Sequence, residues 1–358
     1  MNRIILLSIF GLSTILAFSQ SPTNDPHWQL KWEDNFNTFD NVKWIKMEYG
    51  RHGDEPQLYL ADQVWTGGGN LVIELNNNKV QCPSTPPWPP SGACGKCTSD
   101  KWYNYQSGWI ETKTNYNVQF GYIEARIKLP FRRVGNKSWG FFPAFWSWQG
   151  DLKPVSNQAE IDIFEVFGGE YKEPNTINTC IHRWYNNNNG DQGRSHTFSN
   201  FDYTDWHTYA IEWDKDRIVW YLDNKAIRTT VNHLIVDPVR IILNLAIQSQ
   251  SYYLPPTSPT FKEYMYVDYV KVYSLKCDKN TVVTQIPNFN TYNYAVKKSI
   301  SLSNTTTIPA NSNITLRATD FIELKAGFEV PLGRELYLDV SPCSDDGLIF
   351  KPNDLQKN

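Results

Sequence analysis

Apolar and polar residues alternate in a series of short runs along most of the chain: "NLVIEL", "GWIETK", "GYIEARIKL", "TINTCIHRWY", "HTYAIEW", "RIVWYL", "RIILNLAI" and "YVDYVKVY". These runs are rich in β-branched and aromatic residues and are punctuated by Gly, Asn, Asp and Pro, while helical periodicity is nearly absent. Many short strands in succession predict an all-β sandwich of two curved antiparallel sheets, a concanavalin-like jelly roll. "YLDNKAI" supplies a hairpin turn of the Asp-Asn kind between two of them.

The pattern changes twice. The first residues, "MNRIILLSIFGLSTILAFSQ", place Arg3 before an apolar run from Ile4 to Phe18. The run is short and lacks a charged stop-transfer flank, so residues 1–19 read as a signal peptide, and the protein is expected to be secreted, periplasmic or on the cell surface. Nothing later reaches membrane-spanning length. After Tyr273 Trp becomes scarce and Ser, Thr and Asn increase, with weakly similar short segments "KSISLSN", "SNITLRA", "FIELKAG" and "ELYLDVS". They suggest stacked β rungs in a small accessory module over 276–358, leaving 20–275 for the main domain.

One run breaks the alternation in an informative way. "NQAEIDIFEVFGG" sets Glu160, Asp162 and Glu165 among Ile, Phe and Val. Alternation puts Glu160 and Asp162 on one face, but a regular strand would send Glu165 into the apolar layer, where an unpaired carboxylate costs several kcal/mol. One extra residue at Ile163 or Phe164, a β-bulge, returns Glu165 to the side of the other acids. Side chains leaning inward from two such Glu residues can approach the roughly 5–5.5 Å separation that retaining glycosidases use. Three clustered acids cannot all ionise cheaply, so at least one is expected to titrate high, as a general acid must. A solvent-facing structural strand is the competing reading. The flanking apolar residues argue against it.

Composition narrows the partners. The formal charge is −3 with no basic block, which excludes nucleic acid as an expected partner, and the 14 Trp and 20 Tyr exceed ordinary core needs. An aromatic-lined glycan cleft would use the excess, with Trp139, Trp146, Trp148 and Trp184 as candidate sugar platforms. Any of them could instead be core. In "TINTCIHRWY", alternation places Asn178, Cys180, His182 and Trp184 on one face, and His182 could hydrogen-bond near Glu165 and tune it. Glu124 and Arg126 share a face of "GYIEARIKL" and could form an ion pair beneath the cleft.

Export makes disulfides available to the six cysteines. Cys94 and Cys97 form a C-x-x-C without a second such pair or a metal-spaced His, so a pinned loop is a better reading than zinc. Within the Pro-rich "CPSTPPWPPSGACGKC", Cys82 is expected to pair with Cys94 or Cys97. Cys277 and Cys343 could staple the C-terminal region, and Cys180 could join the remaining loop cysteine or stay a buried thiol.

The acidic run resembles the E-x-D-x-x-E signature of glycoside hydrolase family 16, in the bulged form of its laminarinase, agarase and carrageenase branches. The resemblance covers roughly Trp28 to Tyr273 and is supported by "EPQLYLADQV", "GGNLVIEL", "SGWIETK", "FGYIEARIKLP", "FPAFWSW", "WHTYAIEWDKDRIVWYLDNK" and "YVDYVKVY". It implies a retaining endo-glycanase acting as a monomer on a polysaccharide, with Glu160 as nucleophile, Glu165 as acid/base and Asp162 steering Glu160. It implies no required cofactor, and a structural calcium held far from the cleft at Asn35, Gly69 and Asp268; an outward-facing strand residue is the competing reading of Asp268. A laminarin-type β-1,3-glucan is the first-choice substrate, mixed-linkage glucan the second and a galactan such as agar or carrageenan the third. The chain departs from many laminarinases just before the first Glu, where it reads Ser156-Asn157-Gln158-Ala159 in place of a Trp and a Gly. A lectin-like sandwich that binds sugar without cutting it is the alternative of another class, and retention of both Glu residues argues against it.

Overall fold

The computed structural model describes residues 28–87, 94–149, 159–185, 188–189, 192–213, 217–232, 237–275, 280–283, 291–293, 297–308 and 313–340. The leader-like segment, Cys277 and Cys343 lie outside these residues. Among the described residues the regular elements are strands, apart from single 3-10 turns at Ala61–Gln63, Thr114–Tyr116 and Ser251–Tyr253.

Two sheets face each other, as the alternating runs predict. The larger has 12 strands and carries Gly121–Lys128 between His207–Trp213 and Lys262–Leu275. The smaller has 8 strands and places Thr176–Tyr185, Ala159–Glu165, Phe141–Trp148, Arg240–Ile247, Trp109–Thr112 and Trp44–Lys46 side by side in that order. Pairing between strands of these two sheets is antiparallel except between Tyr105–Ser107 and Gln57–Tyr59.

The side-chain period of two decides what lies between the sheets. Ile123, Ile211 and Trp220 of the larger sheet meet Phe145, Ile161 and Leu243 of the smaller in one buried cluster. Each such side chain contributes roughly 1.5–3 kcal/mol by leaving water, so a one-residue slip of any strand, which would turn its apolar set outward, is strongly disfavoured. The predicted hairpin joins Arg217–Leu222 to Lys225–Val231. Asp223 and Asn224 both take positive φ, 47° and 64°, as a type I′ turn requires.

Five strands near the C-terminus, Asn280–Val283, Thr291–Asn293, Lys297–Leu302, Asn313–Leu324 and Glu335–Val340, pair only in parallel, as stacked rungs do. They do not hang free of the sandwich. Ile300, Leu302, Ile308 and Leu316 share a buried cluster with Trp28, Tyr122, Val219 and Tyr221 on the outer face of the larger sheet.

The Pro-rich loop is closed by a disulfide between Cys82 and Cys97, with Cα atoms 6.0 Å apart. Cys94 and Cys180 are free, buried thiols.

Candidate active site

The acids stand on the strand Ala159–Glu165, in the smaller sheet between Phe141–Trp148 and Thr176–Tyr185. The bulge expected from their spacing is present. Against Phe141–Trp148, Asp162 pairs with Trp146 and Phe164 with Phe145, which leaves Ile163 as the extra residue. On the other side Asp162 lies opposite Cys180 and Glu165 opposite Asn178. Ile163 and Phe164 both enter the apolar cluster between the sheets. Apolar burial of two consecutive side chains is what puts Glu165 back beside Asp162. The indole of Trp220 donates to the Asp162 carbonyl at 2.8 Å, tying the bulge to the opposite sheet.

Packing then sets the charges. Asp162 is 1% exposed, and Glu160 and Glu165 are half-buried. Burial, followed by the charge of Glu160, pushes Glu165 up to about 8. Burial, followed by the charge of Asp162, also raises Glu160, while the imidazoles of His182 and His52 pull it back. Asp162 is raised by burial and then by Glu165. The charges of Glu160 and Asp162 act strongly on each other, so the pair titrates as a unit.

His182 sits across the ladder from Glu160. Its Nε2 is 3.3 Å from Oδ2 of Asp162 and 3.8 Å from Oε1 of Glu160. Burial by itself would lower its pKa, but Asp162, Cys180 and Glu160 together raise it, so at neutral pH the ring is an imidazolium. The register brings His182 to the Glu160 end of the acid row rather than beside Glu165, whose pKa its charge still lowers as expected.

The aromatic candidates separate into different environments. Trp148 lies opposite Glu160 and is partly exposed on the acid-bearing face, where a sugar could rest on it. Trp146 is 5% exposed beneath that face, its indole donating to Asn244 at 2.8 Å and its ring 5.3 Å from that of Trp109. It supports the cleft floor. Trp139 packs in the core against Phe261 and Phe141, at 4.9 and 5.8 Å between ring centroids, so the platform expectation fails there. Trp184 pairs with Asn189, and its side chain lies outside the described residues. Glu124 and Arg126 are not paired beneath the cleft. Alternation turns them to the opposite, outer face of the larger sheet, where Glu124 accepts from Tyr269 at 2.9 Å and Arg126 pairs with Asp268 at 2.6 Å.

Several residues of the site escaped the sequence reading. Trp146 donates to Asn244, Asn244 to the hydroxyl of Tyr59 at 3.1 Å, and Tyr59 to Glu55 at 2.7 Å, with Gln57 also donating to Glu55 at 2.7 Å. Burial is the largest cause of a raised Glu55, and its charge adds to the upward push on Glu165. The signal was present as Glu55, Gln57 and Tyr59 at alternate positions of "EPQLY", and as the lone polar Asn244 inside "RIILNLAI".

For the implied calcium, the register does gather the three positions. Asp34 pairs with Val270, Leu71 pairs with Val267, and Asn35, Gly69 and Asp268 lie at that junction. Asn35 and Gly69 are exposed. The carboxylate of Asp268, however, is already neutralised by Arg126 at 2.6 Å. A single compensated carboxylate beside a guanidinium fits poorly to a dication that takes six to eight oxygens.

Comparison with known proteins follows the same line. The profile of glycosyl hydrolases family 16 matches residues 62–246, more than half of the 358 residues. Endo-1,3-1,4-beta-glycanase EglC of Rhizobium meliloti (strain 1021) is 33% identical over 179 residues, 49% of this chain and 35% of the relative. Glucan endo-1,3-beta-glucosidase A1 of Niallia circulans is 28% identical over 281 residues, 68% of this chain and 37% of the relative. The chain thus spans 35% and 37% of the length of these two curated relatives. Among solved structures, the catalytic domain of an endo-1,3-beta-glucanase (laminarinase) from Thermotoga petrophila RKU-1 superposes with a TM-score of 0.57 at 25% identity, covering 70% of this chain and 98% of that one. The endo-beta-1,3-glucanase from Pyrococcus furiosus gives a TM-score of 0.57 at 28% identity, covering 69% and 95%. With its acid triplet on a bulged strand of a two-sheet sandwich and its profile match across more than half its length, the chain belongs to glycosyl hydrolases family 16.

Proposed function

We propose that this protein is an exported, monomeric endo-β-glucanase that hydrolyses internal linkages of a laminarin-type β-1,3-glucan with net retention. The observation that carries this reading is the placement of Glu160, Asp162 and Glu165 on one face by the bulge at Ile163, with His182 bearing on the first two. Glu160 attacks the anomeric carbon while Glu165, protonated at neutral pH because burial holds it near 8, gives its proton to the leaving oxygen. The glycosyl-enzyme is then opened by water that Glu165, now a carboxylate, deprotonates. Asp162 shares a proton with Glu160 and fixes its orientation; as Glu160 becomes an ester, that proton settles on Asp162. The imidazolium of His182 offsets the negative charge of the pair. No step requires a cofactor.

Mixed-linkage glucan is the second reading, favoured by the 1,3-1,4 specificity in the name of the Rhizobium relative. The export part rests on the leader-like N-terminus, and the monomer part on a cleft built from one chain. Proton NMR of the first-formed reducing ends tests the mechanism. The β-anomer should appear first and the α-anomer only by mutarotation; an α-first product would refute it. Release of reducing ends from laminarin, mixed-linkage glucan, agar and carrageenan in parallel ranks the substrates, and activity confined to the last two would overturn the glucan assignment.

A further inference from the structure

Asp162, Cys180 and His182 meet because of register: Cys180 lies directly opposite Asp162, and His182 follows two residues later on the same face. One ligand atom from each, a carboxylate oxygen, the thiol sulfur and a ring nitrogen, lie within 4.8 Å of one another. Small side-chain rotations bring such a trio onto one ion. Carboxylate, thiolate and imidazole together are a donor set for zinc and its softer analogues, whereas calcium and magnesium take oxygen alone. A second observation points to the same gap. Asp162 is 1% exposed, yet its Oδ2 has no well-aligned hydrogen bond, its contact being the 3.3 Å ion pair with the His182 ring. Buried acceptors are ordinarily satisfied. The Cys180 thiol is outside any disulfide and makes a 3.6 Å contact with the adjacent Ile181 carbonyl, a weak bond that a metal readily replaces.

We propose that Asp162, Cys180 and His182 form a site for one thiophilic divalent cation, of which zinc is the type, and that its occupancy switches the acid cluster off. On binding, the Cys180 thiol and the His182 imidazolium each release one proton to solvent, sulfur–metal and nitrogen–metal bonds form beside the Asp162 oxygen, and water completes a four-coordinate shell. The switching half rests on the hydrolytic mechanism proposed above: Asp162 held by metal can no longer share a proton with Glu160, and the dication beside Glu160 suppresses its attack.

The whole protein titrated with cadmium chloride tests the site itself, read by sulfur-to-cadmium charge-transfer absorbance, with zinc affinity measured by competition. One cadmium per chain should give the band, and Cys180→Ser should remove it and weaken zinc by about tenfold or more. Cys180→Ala serves as a second variant if the first fails to fold. Wild-type protein without the band, or a band undiminished in the folded variant, would overturn the proposal. On laminarin, zinc should inhibit the wild type and EDTA restore it, while Cys180→Ser, measured against its own zinc-free rate, needs about tenfold or more zinc for half-inhibition. Equal zinc inhibition in both proteins, or equal inhibition by magnesium, would overturn the switch. Because the cadmium band does not depend on turnover, an inactive protein would refute the glucanase reading while leaving the metal site decided on its own terms.

Discussion

Trp220 and Asp162 are joined across the two sheets: the indole N–H on the larger sheet donates to the Asp162 carbonyl on the smaller at 2.8 Å, at the point where the acidic strand bulges. The central catalytic candidate is therefore fixed from behind by the core as well as from the side by His182. The bulge is part of the packed interior rather than a loop-like irregularity.

Deleting Ile163 tests this directly. The deletion converts the acid spacing to alternate positions, so Glu165 still faces the cleft and the strand can pair regularly. We expect a folded protein with measurable residual hydrolysis, by circular dichroism and a reducing-end assay. Phe164→Ala should behave differently. It empties a buried site whose ring lies 4.3 Å from that of Tyr209, at a cost of about 3–5 kcal/mol, without moving any acid.

His182→Gln removes the cation that bears on Asp162 and Glu160. An opposite charge at such a distance lowers a carboxyl by about 1–3 units, so its loss raises the pKa of the nucleophile pair. Protonated nucleophile is inactive. The acidic limb of kcat/KM should therefore move to higher pH by about one unit or more. An unchanged limb would remove His182 from the charge balance of the site.

Glu165 links activity and stability to pH in the same sense. Its folded pKa is near 8 against an ordinary 4.5, because it is buried and then because Glu160 is close. Between these values the folded state holds a proton that the unfolded state has lost, so stability falls as pH rises across that window. Glu165→Gln abolishes this slope. The variant should match the wild type near pH 4 and exceed it at pH 8 by on the order of 2 kcal/mol, measured by thermal or urea unfolding. It should also lose hydrolysis, and wild-type kcat/KM should fall as pH rises through about 8.

A chain ending at Ser274 should keep the cleft chemistry but lose stability and solubility. Truncation uncovers Trp28, Tyr122, Val219 and Tyr221, which now pack against Ile300, Leu302, Ile308 and Leu316. Exposed apolar patches of this kind drive association. Light scattering and melting curves check it, and an unaltered melting temperature would show the contact to be unimportant.

Chelation should leave the melting temperature unchanged if the Arg126–Asp268 pair occupies the carboxylate that calcium would need. Asp268→Asn should then change stability by only about 0–1 kcal/mol, as is usual for partly exposed ion pairs. A calcium-dependent rise in melting temperature, lost in that variant, would restore the metal reading.

The sandwich and the acid row were legible in the sequence because both depend on short-range periodicity. Alternation in "GYIEARIKL" and "RIILNLAI" says which residues face inward whatever the neighbouring strand is, and the misplaced Glu165 reports a bulge because burying an unpaired carboxylate is so costly. Tertiary structure decided what local pattern leaves equal. Trp139 and Trp148 are alike in sequence, yet one fills the core beside Phe261 and the other stands opposite Glu160. His182 met Asp162 rather than Glu165 because strand register, a non-local quantity, chose its partner. Glu55 and Asn244 reached one hydrogen-bond chain from positions 189 residues apart through Tyr59, and Cys180 came to lie against Asp162. Side-chain period is a property of one strand; which polar groups share a buried, low-dielectric space depends on how all the strands pair, and that pairing sets their charges.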